Sequence, residues 1–215
     1  MKESVALPVL SAWEHALGDA RERLHPRIRE YVRAVPAGYV GRGEGVFDVA
    51  GCLAPALAPA LSIAGAMAIA FPEAGEDVPF SVENRGDGEG VIHARRTFHF
   101  AERVRVMRDA VRPHGHLAID ALGTGGVLEA ALHVSEVGGA LRVVSRGVRV
   151  RVGSSWFRLP AAVRPRVTVT DSYDKAVGRQ HVELSVSIGT SRPVYGYRGW
   201  FDYEVMADDR GKQEP

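Results

Sequence analysis

This sequence is short of almost everything that announces a chemistry. Its 215 residues hold a single cysteine, Cys52, so no intrachain disulfide can form, and the chain suits a reducing compartment. Aromatic residues make up only 7%, too few for the stacking platforms that hold single-stranded nucleic acid. Neither sign of charge prevails: 27 Lys and Arg stand against 26 Asp and Glu, a formal net charge of +1, so nothing demands nucleic acid as a partner. There is no GxSxG elbow, no CxxC, no HExxH and no P-loop. The opening MKESVALPVLSAW has a thin basic region, an apolar run broken by Pro8 and no clear cleavage site, so it does not read as a signal peptide. These absences lead us to expect a cytoplasmic protein with no cofactor and no resident metal.

Long uncharged runs are also scarce. The only one is Val49 to Phe71, VAGCLAPALAPALSIAGAMAIAF. It is long enough to cross a bilayer, which takes roughly 20 apolar residues. Alanine dominates it, however, Pro55 and Pro59 interrupt it, and no cluster of Lys or Arg anchors either end. We therefore read no membrane span but a buried helix from Ala56 to Ile69, stopped before Pro72, with the rest of the chain wrapped on it. Cys52, inside this run, reads as a buried and inert thiol.

What is present is strand. Before it come two short helices: one capped by Ser11 and striped by Trp13, Ala16, Leu17, Ala20 and Leu24, and one begun by Pro26 with Ile28, Tyr31, Val32 and Val35 inward. From Tyr39 the period changes to two. A glycine-rich strand (Tyr39–Ala50) precedes the apolar helix. Val78–Arg85 and Val91–Phe100 then form a hairpin about Gly86-Asp87-Gly88, and eight further strands run from Arg103 to Met206 with turn residues between them. In HVELSVSI, Val182, Leu184, Val186 and Ile188 share one face. The expected fold is α+β and mostly antiparallel: a large curved sheet or partly closed β-barrel wrapped on a buried Ala-rich helix, with N-terminal helices. We expect one domain over residues 1–206, with a helical cap at 11–36, a β-rich body at 39–206 and a disordered tail at 207–215.

Three constellations invite chemistry and yield little. Gly123-Thr124-Gly125-Gly126 has the wrong spacing for a dinucleotide loop, since the third glycine would fall at Leu128; it reads as a hairpin turn. His114 and His116 flank a glycine in what reads as an exposed turn, with Asp120 the only carboxylate following closely. Arginines gather at Arg95, Arg96, Arg103, Arg105 and Arg108, then at Arg142, Arg146, Arg149 and Arg151, and read as a solvated sheet face paired with Asp and Glu. Asp48, Asp120 or His181 could move a proton, but nothing in the sequence singles them out. Aromatics cluster late, at Trp156, Phe157, Tyr173, Tyr195, Tyr197, Trp200, Phe201 and Tyr203, with Tyr195 and Tyr197 on one face of the last strand.

Several of these segments together resemble a known family. AWEHALGDARERLHPRIREYV, then GVFDVAG, the apolar helix, VPFSVEN, HVELSVSI and VYGYRGWFDYE are similar to the bacterial domain of unknown function numbered 4166, over about residues 11 to 205. In the strand Val91–Phe100, Arg96 and Phe98 keep the family's Arg and Phe, while its Trp is missing. The resemblance implies a domain often fused behind saccharopine-dehydrogenase-like, nucleotide-binding domains, so a dehydrogenase-like protein is a partner to expect. The residues themselves suggest a pocket for a small hydrophobic molecule, lipid-like or polyketide-like, lined by Arg96, Phe98, Trp156, Tyr195 and Tyr197 with His25 at its mouth. The alternatives are a cofactor-free cyclase or isomerase using the same pocket, and a non-catalytic partner domain of a dehydrogenase.

Overall fold

The computed structural model describes residues 9–189 and 192–209. Ser11 starts helix α1 (Ala12–Leu17) through a capping box: its hydroxyl accepts from the Glu14 amide, and the Glu14 carboxylate accepts from the Ser11 amide. A 3-10 turn (Gly18–Arg23) leads to α2 (Pro26–Val32), where proline at the first position costs no hydrogen bond. Eleven strands follow: β1 (Tyr39–Cys52), β2 (Ala74–Gly86), β3 (Ile92–His99), β4 (Val104–His114), β5 (Leu117–Leu122) and β6 (Leu128–Val137). The second half adds β7 (Ala140–Val152), β8 (Ser155–Arg158), β9 (Pro165–Asp174), β10 (Arg179–Ile188) and β11 (Pro193–Ala207). Between β1 and β2 lies α3 (Ala58–Ala66).

The strands pair in the order β6-β5-β4-β3-β2-β1-β11-β10-β9-β7, and β6 pairs back onto β7, so ten antiparallel strands close into a barrel. Closure removes the edges that an open sheet would expose. The short β8 lies against the end of β7, beyond the stretch Leu141–Val144 where β9 pairs. Period-two alternation decides which side chains point in. Ala94, Arg96 and Phe98 on β3 face the interior, as do Met107, Asp109 and Val111 on β4.

Glycine makes β1 thin. A Cβ at Gly41 would lie 1.7 Å from the Tyr203 hydroxyl, and one at Gly45 would lie 1.9 Å from the Trp200 carbonyl. The missing side chains let β11 carry Tyr203, Phe201, Tyr197 and Tyr195 into the barrel against β1. These rings join Phe47, Phe71, Phe80 and Phe98 in one aromatic core, with Phe47 stacked on Phe80 at 3.7 Å between centroids.

The two barrel ends are closed differently. Helices α1 and α2 plug the end where β1 begins and β11 finishes; Leu17, Ile28 and Val32 are buried there with Val111, Ala118, Leu132 and Leu141. Helix α3 crosses the opposite end. The sequence led us to expect this helix at the buried centre of the fold over Ala56–Ile69. It is instead a shorter surface helix with no buried residue, and Ile63 is 67% exposed. One side of it, Ala60, Leu61 and Ala64, faces the barrel interior, which is why its composition is apolar. Among the described residues no helix is long and apolar enough to cross a membrane. At the C-terminus Asp208 accepts from the Arg85 guanidinium at 2.9 Å, so the chain is held to that point; residues 1–8 and most of the tail, 210–215, lie outside the described residues.

Candidate functional site

A cavity of about 390 Å³ occupies the barrel between the two closures. Most of its wall is aliphatic. Val167, Val169, Leu184 and Val186 come from β9 and β10, Leu128, Ala130 and Leu132 from β6, Leu61 and Ala64 from α3, and Leu57 from the turn before it. The four apolar residues of β10 that share a face, Val182 to Ile188, all line it.

Within this wall stands one polar group of side chains. Arg96 on β3 donates to the Asp109 carboxylate on β4, a pair held side by side because Arg96 sits opposite Met107 and Ala94 opposite Asp109. The Arg96 side chain is also within hydrogen-bonding reach of the Tyr31 hydroxyl, which α2 lowers into the barrel. Asp120 on β5, Asp171 on β9 and Tyr197 on β11 complete the group. Asp171 is 2% exposed, and both its oxygens accept from Gln180 Nε2 at 2.9 Å. The Asp120 Oδ1 is buried without a hydrogen-bond partner.

Three carboxylates and one guanidinium share this interior, and burial acts on the charge of Asp120 and Asp171. Desolvation, with the neighbouring Asp109 adding to it, raises the Asp120 carboxyl well above the ordinary range, against the pull of Arg96. Desolvation also raises Asp171, to about 7, although Gln180 and Arg96 oppose the shift. The Tyr197 phenol is pushed up to about 12 by burial. The site therefore offers a carboxyl at Asp120 biased towards its neutral form and a neutral phenol at Tyr197 beside one fixed cation. Such groups can donate hydrogen bonds to a carbonyl or hydroxyl inside an otherwise dry space.

Of the six residues proposed from sequence, Arg96, Tyr195 and Tyr197 line the cavity. Phe98 is fully buried one layer behind, packed on Phe47 and Phe71. Trp156 is not part of the lining; it lies on β8, under the guanidinium of Arg149 at 4.6 Å. His25 caps α2 and stacks on Tyr173 at 4.4 Å, at the plugged end rather than beside α3. Of the proton-moving candidates, Asp48 is exposed and His181 packs on Trp200, which leaves Asp120 inside. Asp109 and Asp171 escaped the sequence reading. Their signal was parity: each is a carboxylate at the inward position of a strand whose other inward residues are apolar, Met107 and Val111 for one, Val167 and Val169 for the other.

The remaining motifs resolve as turns and, for part of the arginine cluster, ion pairs. Gly123, Gly125 and Gly126 all take positive φ in the β5–β6 hairpin, and Gly115 turns β4 into β5. Arg103 and Arg105 pair with Glu73, and Arg149 with Glu129. Among the described residues no three His, Cys, Asp or Glu side chains converge as a metal site.

Comparison with known families agrees with the resemblance. The family model described as Domain of unknown function (DUF4166) matches residues 24–201. The chain belongs to that family. The match begins at Leu24, just before α2, and ends at Phe201 in β11, so it takes in α3, Tyr31 and every interior polar residue named above. No curated protein matches the chain.

Proposed function

We propose that this member of the DUF4166 family holds a small, largely apolar molecule inside the barrel, with its one polar end against Arg96, Asp120 and Tyr197. The observation that carries this reading is the composition of the cavity wall: aliphatic and aromatic nearly throughout, with charged side chains gathered in a single place. A volume of about 390 Å³ falls in the range of small-molecule sites, roughly 300–1,000 Å³. The apolar wall supplies affinity in proportion to buried area, and the polar group fixes which way round the ligand lies. Native mass spectrometry of freshly purified protein, followed by denaturation and extraction, is the test. A molecule released only on unfolding, apolar with one or two oxygen functions, is expected; a bare protein mass from every host and growth condition overturns the reading.

A second reading rests on Asp120. A carboxyl kept neutral in a dry cavity is a proton donor, and a cofactor-free isomerase or cyclase needs little more than such a group and a wall that folds its substrate. Asp120→Asn separates the two readings. A carrier recovers the same molecule from wild type and variant, whereas an enzyme recovers unconverted substrate from the variant alone.

A further inference from the structure

From Val137 to Thr170 the chain carries seven arginines and no Asp or Glu. Five of them, Arg149, Arg151, Arg158, Arg164 and Arg166, fall at the α3 end of the barrel, where β7 finishes and β9 begins. There β8 folds back on the end of β7 as a ribbon, and β6 still pairs with β7 as far as Val150. The β7–β8 register puts Arg149 opposite Arg158 and Arg151 opposite Trp156. Like charges directly across an antiparallel pair repel, and β8 has no carboxylate to relieve them. Arg149 is matched by Glu129 on β6. Among the described residues no ion pair is formed by Arg151, Arg158, Arg164 or Arg166.

The same end exposes apolar side chains that folding has left uncovered. Val152 at the ribbon tip is 62% exposed, Phe157 55%, Val163 in the following loop 55%, and Ile63 on α3 67%. Unneutralised arginines and bare aliphatic or aromatic side chains, interleaved on one end, suit a surface that is anionic outside and apolar just beneath. A nucleic-acid backbone would satisfy the guanidinium groups and leave Val152, Phe157 and Ile63 in water.

We propose that the α3 end of the barrel docks on an anionic lipid bilayer, with the β7–β8 ribbon, the 160–164 loop and the outer side of α3 entering the headgroup layer. Trp156, held between Arg149 and Arg151, lies at the depth where aromatic side chains favour the interface. The helix that separates the cavity from the outside then lies against the membrane. The docking face stands apart from the cavity reading, because its test does not depend on what the barrel contains.

The test is flotation of the full-length protein with vesicles of phosphatidylcholine alone, or of phosphatidylcholine mixed with phosphatidylglycerol. Wild type is expected to float with the anionic vesicles and not with the neutral ones, and raised salt should release it. An arginine near an anionic surface strengthens binding about fivefold. Arg158→Glu with Arg164→Glu should therefore lower vesicle affinity at least about twentyfivefold, and Phe157→Ser with Ile63→Ser should weaken it while leaving the salt dependence in place. Arg33→Glu, exposed at the plugged end, should change nothing. All these positions lie on the surface, and unchanged circular dichroism confirms that the variants are folded. Absence of flotation, equal flotation with both vesicle types, or an Arg33→Glu loss as large as that of the paired variant overturns the proposal. Retention on duplex DNA without vesicle binding overturns it too, and assigns the face to nucleic acid.

Discussion

The two ends of the barrel are closed by helices of similar length and opposite character. At the plugged end α1 and α2 are amphipathic. Ala12, Ile28 and Val32 are wholly buried, the Ser11 hydroxyl donates to the Val32 carbonyl, and the Glu14 carboxylate accepts from the amides of Ser11 and Ala34. At the other end α3 is apolar all round, buries no residue and has no side-chain cap. It is tied down mainly at its flanks. The Leu53 amide donates to Val194, and after the helix the amides of Arg108 and Thr124 donate to the carbonyls of Ala68 and Met67 at 3.0 and 2.8 Å. Ala68 takes a positive φ of 58° to make that exit, an uncommon conformation for a residue with a Cβ. One closure is part of the core, and the other is a cover over a cavity. Local stability follows buried apolar contact, so the cover is the end expected to open more readily.

The comparison can be broken most severely at the plug. Ile28→Ala removes a fully buried side chain and should cost about 2–5 kcal/mol in chemical denaturation. A cost under about 1 kcal/mol would mean that α2 is not part of the core. Next in size is a pH effect from inside the barrel. Asp171 titrates near 7 when folded and near 3.8 when unfolded, so the folded state binds the extra proton between those values. Stability on this account is highest below about pH 4 and falls as pH rises towards 7. At about 1.4 kcal/mol per pKa unit the loss amounts to a few kcal/mol. Asp171→Asn should flatten that part of a melting-temperature profile against pH; an unaltered slope would refute the assignment. Ser11→Ala removes a helix cap and a tie to α2 and should cost about 1–2 kcal/mol by the same denaturation measurement. The smallest effect belongs to the cover. Ile63→Ser should stay within about 0.5 kcal/mol of wild type, because the side chain is already largely in water.

Much of the wall was legible and most of the site was not. Alternation and turn residues located the strands to within a few residues, because each strand buries one face and wets the other. The hairpin at 86–88 and the turns at 123–126 and 138–139 stand where the sequence put them. Helix α3 misled because an apolar segment reads as buried whatever it covers; the sequence holds no sign that one side borders a cavity and the other lies bare. Closure of β6 onto β7 is a long-range pairing with no local signature. Arg96 and Asp120 were named, but Asp109 on β4, next to β5, and Asp171 on the remote β9 join them in one group only once the barrel has closed. The ribbon of β7 and β8 shows the same limit: Trp156 reads as a pocket aromatic by composition, and only the register places it with the arginines.

Hydrogen exchange across the ligand-free protein, read by mass spectrometry, tests the difference between the two ends most directly. The amides of residues 28–32 in α2 should exchange at a rate set by global unfolding, while those of 61–66 in α3 exchange orders of magnitude faster through local opening. Equal protection of the two helices would contradict the account, because α3 would then be as firmly built into the core as the plug.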